Sequence, residues 1–187
     1  PLISFTVVRD LFTNESNFLL MDVTGEITDI TLVKEDIIEK TVSIPSGKNF
    51  IIRQIAKALN VSPEIAESSL QMYIGKKVDD ETITKVSTVL TQVEKEWSIY
   101  LENALSELSP NLILPNSIYL TSDSDISDIY MDFLNMEKDD ATGNFRKNIK
   151  TTHVSLEKLK DFYENSSGFV LDEFIILLSL FYKKLLT

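Results

Sequence analysis

The spacing of apolar and polar residues changes several times along the chain, and each change predicts a new element. Val8, Leu11 and Phe12 share one face of a short helix over Phe5–Phe12, which Asn14 to Asn17 end. Phe18-Leu19-Leu20-Met21 is a continuous apolar run of strand length, the pattern of a strand buried on both faces. Asp22-Val23-Thr24-Gly25-Glu26 has turn chemistry, Ile27 to Val33 reads as a second strand, Glu35-Asp36 as a turn and Ile37 to Ile44 as a third strand. Three strands with tight connections predict an antiparallel meander.

From Pro45 the period becomes helical. Phe50, Ile51, Ile55, Ala58 and Leu59 line one face of a helix that follows Ser46-Gly47 and ends at Asn60. Ser62-Pro63-Glu64 then supplies a capping oxygen, a proline at the first helical position and an acid near the positive end of the helix dipole. That helix runs to about Tyr73, and Gly75 stops it. Ile83, Val86, Leu90, Val93, Trp97, Leu101, Leu105 and Leu108 recur every three or four residues, which predicts a long helix with one core-facing stripe. The flanking charges lack the repeat of a coiled coil.

Pro110 and Pro115 bound a loop, and Ser117 to Thr121 reads as a short strand. Asp125 reads as the N-cap of a helix to about Asn135, and Glu137 to Asn144 as a polar, mobile loop. A strand is expected within Arg146 to Val154, then a helix from Ser155 to about Tyr163 and a connection over Asn165 to Gly168. The last helix spans about Leu171 to Leu185, with acids at its start and Lys183 and Lys184 at its end, as the dipole favours. The order of elements predicts a mixed α/β plan, one sheet covered by helices, with a helical insertion at about 62–109 in a single domain over 1–187.

Composition narrows the function. The 187 residues carry 18 Lys+Arg against 29 Asp+Glu, a net charge of -11. A chain this acidic repels phosphate backbones and anionic lipid, so nucleic acid is not an expected partner. Without cysteine there is neither a disulfide framework nor a thiolate metal site. The most apolar stretch, Phe174 to Leu180, is far short of the ~20 residues that span a bilayer. The chain opens on Pro1 without a targeting signal, which suggests a piece of something longer.

A single histidine, His153, excludes a His–His zinc site and leaves no nucleophile-elbow context for a catalytic triad. It reads as a surface histidine at a strand end. Asp123, Asp125 and Asp128 have part of the spacing of a calcium loop, but glycine is missing at the sixth position and Leu134 stands where the bidentate glutamate belongs.

The segment with most chemistry is Asp22-Val23-Thr24-Gly25-Glu26-Ile27-Thr28-Asp29. A tight turn presents backbone N–H groups to phosphate oxygens, a threonine hydroxyl adds a donor, and an acid at a strand end can hold the water shell of Mg2+. On residues alone, an ordinary hairpin is the better explanation.

Residues 18–53 resemble the opening of the second half of the actin-like ATPase superfamily, nearest to its pilus-assembly PilM and cell-division FtsA members. Asp22-x-x-Gly25-x-x-Thr28-Asp29-Ile30 is similar to their second phosphate hairpin. Ser43-Ile44-Pro45-x-Gly47 is similar to the return strand and the glycine that enters the next helix, and Arg53-Gln54-Ile55-Ala56 to that helix. Glu64-Ile65-Ala66-Glu67 resembles a Glu-x-Ala-Glu pattern further on. The resemblance implies half of a ribonuclease H-like fold, with a hairpin-led mixed sheet. It assigns phosphate and Mg2+ duties to Asp22, Thr24, Gly25, Thr28 and Asp29, with Asp22 acting on Mg2+ through water.

Three departures stand against a working site. Thr24 replaces a usual glycine. Thr121-Ser122-Asp123-Ser124-Asp125 stands where the family has a glycine-rich adenosine loop, so the backbone loses the freedom that close approach to a ligand needs. Gln71 lies near the position of a family lysine. The resemblance therefore implies a cytoplasmic scaffold at the inner face of the membrane, working through protein partners of an assembly machine or self-association. No cofactor is expected for this fragment; a full-length parent could take ATP and Mg2+. An ATP-binding half of an active ATPase and an unrelated α/β interaction domain remain the other readings.

Overall fold

The computed structural model describes residues 2–12, 14–109, 114–135, 149–164 and 172–186. Helix α1 (Leu2–Val7) runs directly into a π-helical turn (Val8–Phe12). The meander follows as β1 (Phe18–Val23), β2 (Thr28–Lys34) and β3 (Ile37–Ile44). Helices α2 (Lys48–Leu59), α3 (Pro63–Ile74) and α4 (Asp80–Leu108) separate it from β4 (Ser117–Thr121). Then come α5 (Ser127–Asn135), β5 (Lys150–His153), α6 (Leu156–Leu159), a 3-10 turn (Lys160–Phe162) and α7 (Glu173–Leu185).

The five strands form one sheet in the order β3-β2-β1-β4-β5. β1 pairs antiparallel with β2, and β2 with β3. β1 pairs parallel with β4, and β4 with β5. This is the hairpin-led mixed sheet that the sequence predicts.

The apolar run of β1 explains why the sheet has two covered faces. Successive strand residues point to opposite sides. Leu19, Met21 and Val23 enter one core, beneath α2 to α5. Phe18 and Leu20 enter the other, beneath α1, α6 and α7. At the edge, β3 is largely exposed, and its pairing shifts by a bulge between Leu32 and Val33.

The long helix keeps its predicted stripe from Val86 onward. Val86, Val93, Trp97, Leu101, Leu105 and Leu108 are buried, whereas Ile83 near the helix start is exposed. Trp97 packs on the α5 rings of Tyr130 and Phe133, with centroids 5.8 and 5.7 Å away. α2 buries Ile51, Ile52 and Ile55, so its inner face is turned slightly from the expected one. Asn60 ends α2 in the left-handed conformation, and its N–H reaches the carbonyl of Ala56.

Three expected caps are built differently. Ser62 precedes α3 in extended conformation without a side-chain cap bond. Asp125 does not cap the helix after β4. α5 is entered through a turn in which the Ile126 N–H donates to the Asp123 carbonyl, because the Asp125 carboxylate is drawn away by a cation. Ser155 precedes α6 without a side-chain cap bond, and the Glu173 carboxylate accepts the N–H of Leu156 instead, at 3.3 Å. The helix expected to reach Tyr163 becomes α6 and the short 3-10 turn. Pro110, the loop Glu137 to Asn144, the start of the strand at Arg146 and the connection Asn165 to Gly168 lie outside the described residues.

Candidate functional site

The carboxyl ends of the neighbouring parallel strands β1 and β4 bring Asp22 beside Thr121. In open α/β sheets this edge, at the C-terminal ends of parallel strands, is where ligands bind. The Thr121 hydroxyl donates to Asp22 Oδ1 at 2.8 Å, and the Ser4 hydroxyl of α1 donates to Oδ2 at 3.2 Å. Across the hairpin, Asp22 is in register with Asp29, whose carboxylate accepts the Ser43 hydroxyl. Two carboxylates thus face each other at the hairpin base, each held by protein hydroxyls.

The hairpin itself is bound to α2. The N–H groups of Lys48 and Asn49 donate to the carbonyls of Thr24 and Gly25, at 3.0 and 2.7 Å. These are donors from the first turn of the helix, the groups that an anion would use. The Thr24 hydroxyl closes on the carbonyl of Ile27 at 2.9 Å. Glu26 receives Asn49 and Arg53, hydrogen bonds that hold its carboxyl below the usual range. Thr28 is fully buried and donates to the carbonyl of Ser46 at 2.7 Å.

Gly47 makes this union of hairpin and helix possible. A Cβ there would stand 2.3 Å from the Thr24 carbonyl oxygen and 2.8 Å from that of Gly25. Glycine is required by the close approach of two backbones.

The side chain of Lys48 reaches to the loop after β4. Its ammonium lies 2.6 Å from Asp125 Oδ2, 2.9 Å from Glu67 Oε1 on α3 and 3.9 Å from Asp123 Oδ2. Gln71 of α3 also donates to Asp125 Oδ2, at 2.8 Å. Burial opposes the charge on Lys48, but the hydrogen bonds to Asp125 and Glu67 outweigh it and hold the ammonium above its usual range. Asp123 is pushed up by burial and by the neighbouring Asp125 charge. The Ser122 hydroxyl is buried with no protein partner, and Ser124 is exposed.

The predicted residues therefore assemble in two groups. Asp22, Asp29 and Thr121 meet at the strand ends, whereas Thr28 lies in the core on the other face of β2 from Asp29. Asp123 joins the second group, around Lys48. Lys48 itself is absent from the sequence-based set. One signal was available: a lysine opening a helix opposes the macrodipole and needs a reason. Among the described residues no group of three His, Asp or Glu side chains could hold a metal ion.

His153 corrects another expectation. It ends β5, but its side chain is only 16% exposed, with Nε2 3.9 Å from the buried Glu173 carboxylate. Burial, then Lys158, lower its pKa, partly offset by Asp128. Burial raises that of Glu173, with Asp123, Asp172 and Asp125 adding to it against the Leu156 N–H.

No family model and no curated protein matches the chain. Solved structures do. The PilM–PilN type IV pilus biogenesis complex superposes with a TM-score of 0.64 at 16% identity, over 96% of this chain and 49% of that one. This is the actin-like ATPase fold. MreB 5 of Spiroplasma citri bound to AMPPNP shares that fold with a TM-score of 0.51 at 13% identity, over 98% of this chain and 58% of that one. ParM of Bacillus thuringiensis with ATP gives 0.51 at 9%, over 93% and 48%. The chain spans about half the length of these actin-like structures.

Proposed function

We propose that this domain is the C-terminal half of an actin-like assembly protein similar to PilM or FtsA, and that it works as a scaffold through protein contacts at the cytoplasmic membrane face. In this reading its nucleotide site is eroded. The observation that carries it is the Lys48 cage: the ammonium joins Asp125 and Glu67 across the strand-end edge, and the first N–H groups of α2 are used by the hairpin. The Lys48 ammonium and the first N–H groups of α2, which a phosphate could otherwise use, are engaged by the protein itself. Asp123 and Asp125 add charge that a polyphosphate would meet with repulsion. The PilM relative was solved with PilN, which supports an assembly partner for this chain. Among the described residues no helix is long and apolar enough to cross a membrane.

The competing reading, an ATP-binding half, rests on Asp22 and Thr121 standing together at the strand ends. Thermal melting of the full chain with ATP and Mg2+ separates the two. The scaffold reading expects no rise in melting temperature at millimolar nucleotide. Saturation at 100 times Kd would stabilise the fold by about 2.7 kcal/mol. A rise of that size that disappears in Asp22→Asn, which alters the strand-end carboxylate and leaves the buried Thr28 in place, would establish the ATP-binding reading instead.

A further inference from the structure

The start of α7 is tied to two other elements through one oxygen atom. Glu173 Oε1 accepts the N–H of Leu156, at the start of α6, at 3.3 Å, and stands 3.9 Å from His153 Nε2 at the end of β5. A good N–H···O bond is about 2.9 Å long, so the oxygen lies between two donors and serves neither at its best distance. Glu173 is buried, and Nε2 of the ring is buried with no hydrogen-bond partner in the protein. Neither side chain belongs to the strand-end carboxylates or to the Lys48 cage.

A proton decides between the two donors. A neutral imidazole donates from one nitrogen, whereas the charged ring donates from both. Once Nε2 carries a proton, Glu173 Oε1 is within about 1 Å of bonding distance. An ionised donor holds a carboxylate more strongly, and closer, than a neutral N–H does. On the other side α6 is a single turn, and Ser155 gives it no side-chain cap. The surrounding charges set where the ring titrates. Burial and then Lys158 of α6 hold it below 6.5, and Asp128 of α5 offsets them in part. Around Glu173 stand Asp123 and Asp125 of the loop after β4 and Asp172 ahead of α7, all of which favour a cation beside it.

We propose that His153 and Glu173 form an acid-operated switch: a proton on the ring draws the Glu173 carboxylate off the Leu156 N–H and onto Nε2, which frees the start of α6. The proton comes from solvent, and no other group changes charge. The freed element carries Leu159, fully buried in the core that α7 also lines, so mild acid loosens α6 against α7 while the sheet stays paired. The switch needs no nucleotide and does not depend on the scaffold reading.

His153 is the only histidine, so its ring signals in NMR spectra of the full chain are unambiguous. From pH 7.5 to 5 the Leu156 amide proton should move upfield with the midpoint at which the ring charges. Its exchange with solvent, corrected for the intrinsic rate, should quicken about tenfold, with the amides of β1 and β4 unchanged. In His153→Gln the Leu156 step should vanish. Glu173→Gln keeps an acceptor for Leu156 without the charge, so the amide should ignore pH and the ring midpoint should fall by about half a pH unit. Should either variant misfold, Lys158→Met alters only an exposed side chain, and it should raise both midpoints together. A Leu156 amide indifferent to the charging of the ring overturns the proposal, as does a ring that stays neutral in the folded chain down to pH 5. A step that persists in His153→Gln assigns it to the proton of Glu173 itself and overturns it too. So does a ring midpoint that Glu173→Gln leaves in place, or midpoints that separate in Lys158→Met. Loss of protection that includes β1 and β4 is unfolding, and also overturns it.

Discussion

The ammonium of Lys48 lies 2.6 Å from Oδ2 of Asp125, so one charge-assisted hydrogen bond joins the start of α2 to the loop after β4. Glu67 and Gln71 on α3 complete the junction. Three separate stretches of chain are held at one cation.

Replacing Lys48 by Met should therefore cost about 1.5–3 kcal/mol, since it strips a charged partner from Asp125 and Glu67 together. The pH dependence has a definite sign. The folded ammonium titrates above its usual 10.5, so its contribution is complete below that value and is lost as pH rises through the folded value. Urea melts of wild type and Lys48→Met should differ by a constant amount from pH 7 to about 10 and converge above. A gap that persists unchanged at pH 11.5 would remove the charge from the explanation.

The glycines of the hairpin should behave unequally. Gly47→Ala places a methyl against two backbone carbonyls, and a backbone contact cannot swing aside, so a loss of about 1–3 kcal/mol is expected. At Gly25 the nearest atom is Asn49 Nδ2 at 3.2 Å, a side-chain end on Glu26 that need shift only a few tenths of an ångström, so Gly25→Ala should cost less than Gly47→Ala, about 0.5 kcal/mol. Equal losses in denaturant titrations would mean that the hairpin does not sit on α2 as described.

His153 should make the fold sensitive to mild acid. Its folded pKa is depressed by burial, so the stability it permits is intact above 6.5 and falls away as pH drops and the ring must charge. Wild type should lose melting temperature relative to His153→Gln between pH 6.5 and 5, and match its trend above 7. Glu173 acts in the opposite sense, because its raised carboxyl binds a proton more readily in the folded state. Both proteins keep Glu173, so the difference between them reports the histidine together with its contact to that carboxylate. A constant offset across the range would contradict the burial of a neutral ring.

Much of the architecture is legible in the sequence because it is written in short-range periods. The bounds of β3 and β4 follow from residues that bracket them, Glu35-Asp36 and Pro45 for one, Pro115 and Ser122 for the other. The stripe from Val86 to Leu108 needs only the helical repeat. The candidate site divides on the same principle. Asp22, Gly25 and Thr28 are visible as a local motif, but Asp125 reads as a helix cap only when its neighbours alone are considered. Its partner, Lys48, is 77 residues away. His153 looks exposed in a polar stretch, and only the arrival of α7 with Glu173 encloses it. No local pattern states which distant carboxylate will meet which cation.

The same contrast has a consequence for the order of assembly. β1 meets β2 across a turn of a few residues, whereas its other neighbour, β4, arrives about a hundred residues later, as the hydrogen bond from Thr121 to the Met21 carbonyl records. Closing so long a loop costs entropy before any contact repays it. One side of β1 can zip quickly while the other waits for three helices to be put in place, and a chain with such pairings folds slowly. Phe18 and Leu20 are only partly covered through that interval, by α1 and β2, because α6 and α7, which complete their core, follow β4 in the chain. The strand that unites the two cores in space thus divides them in time.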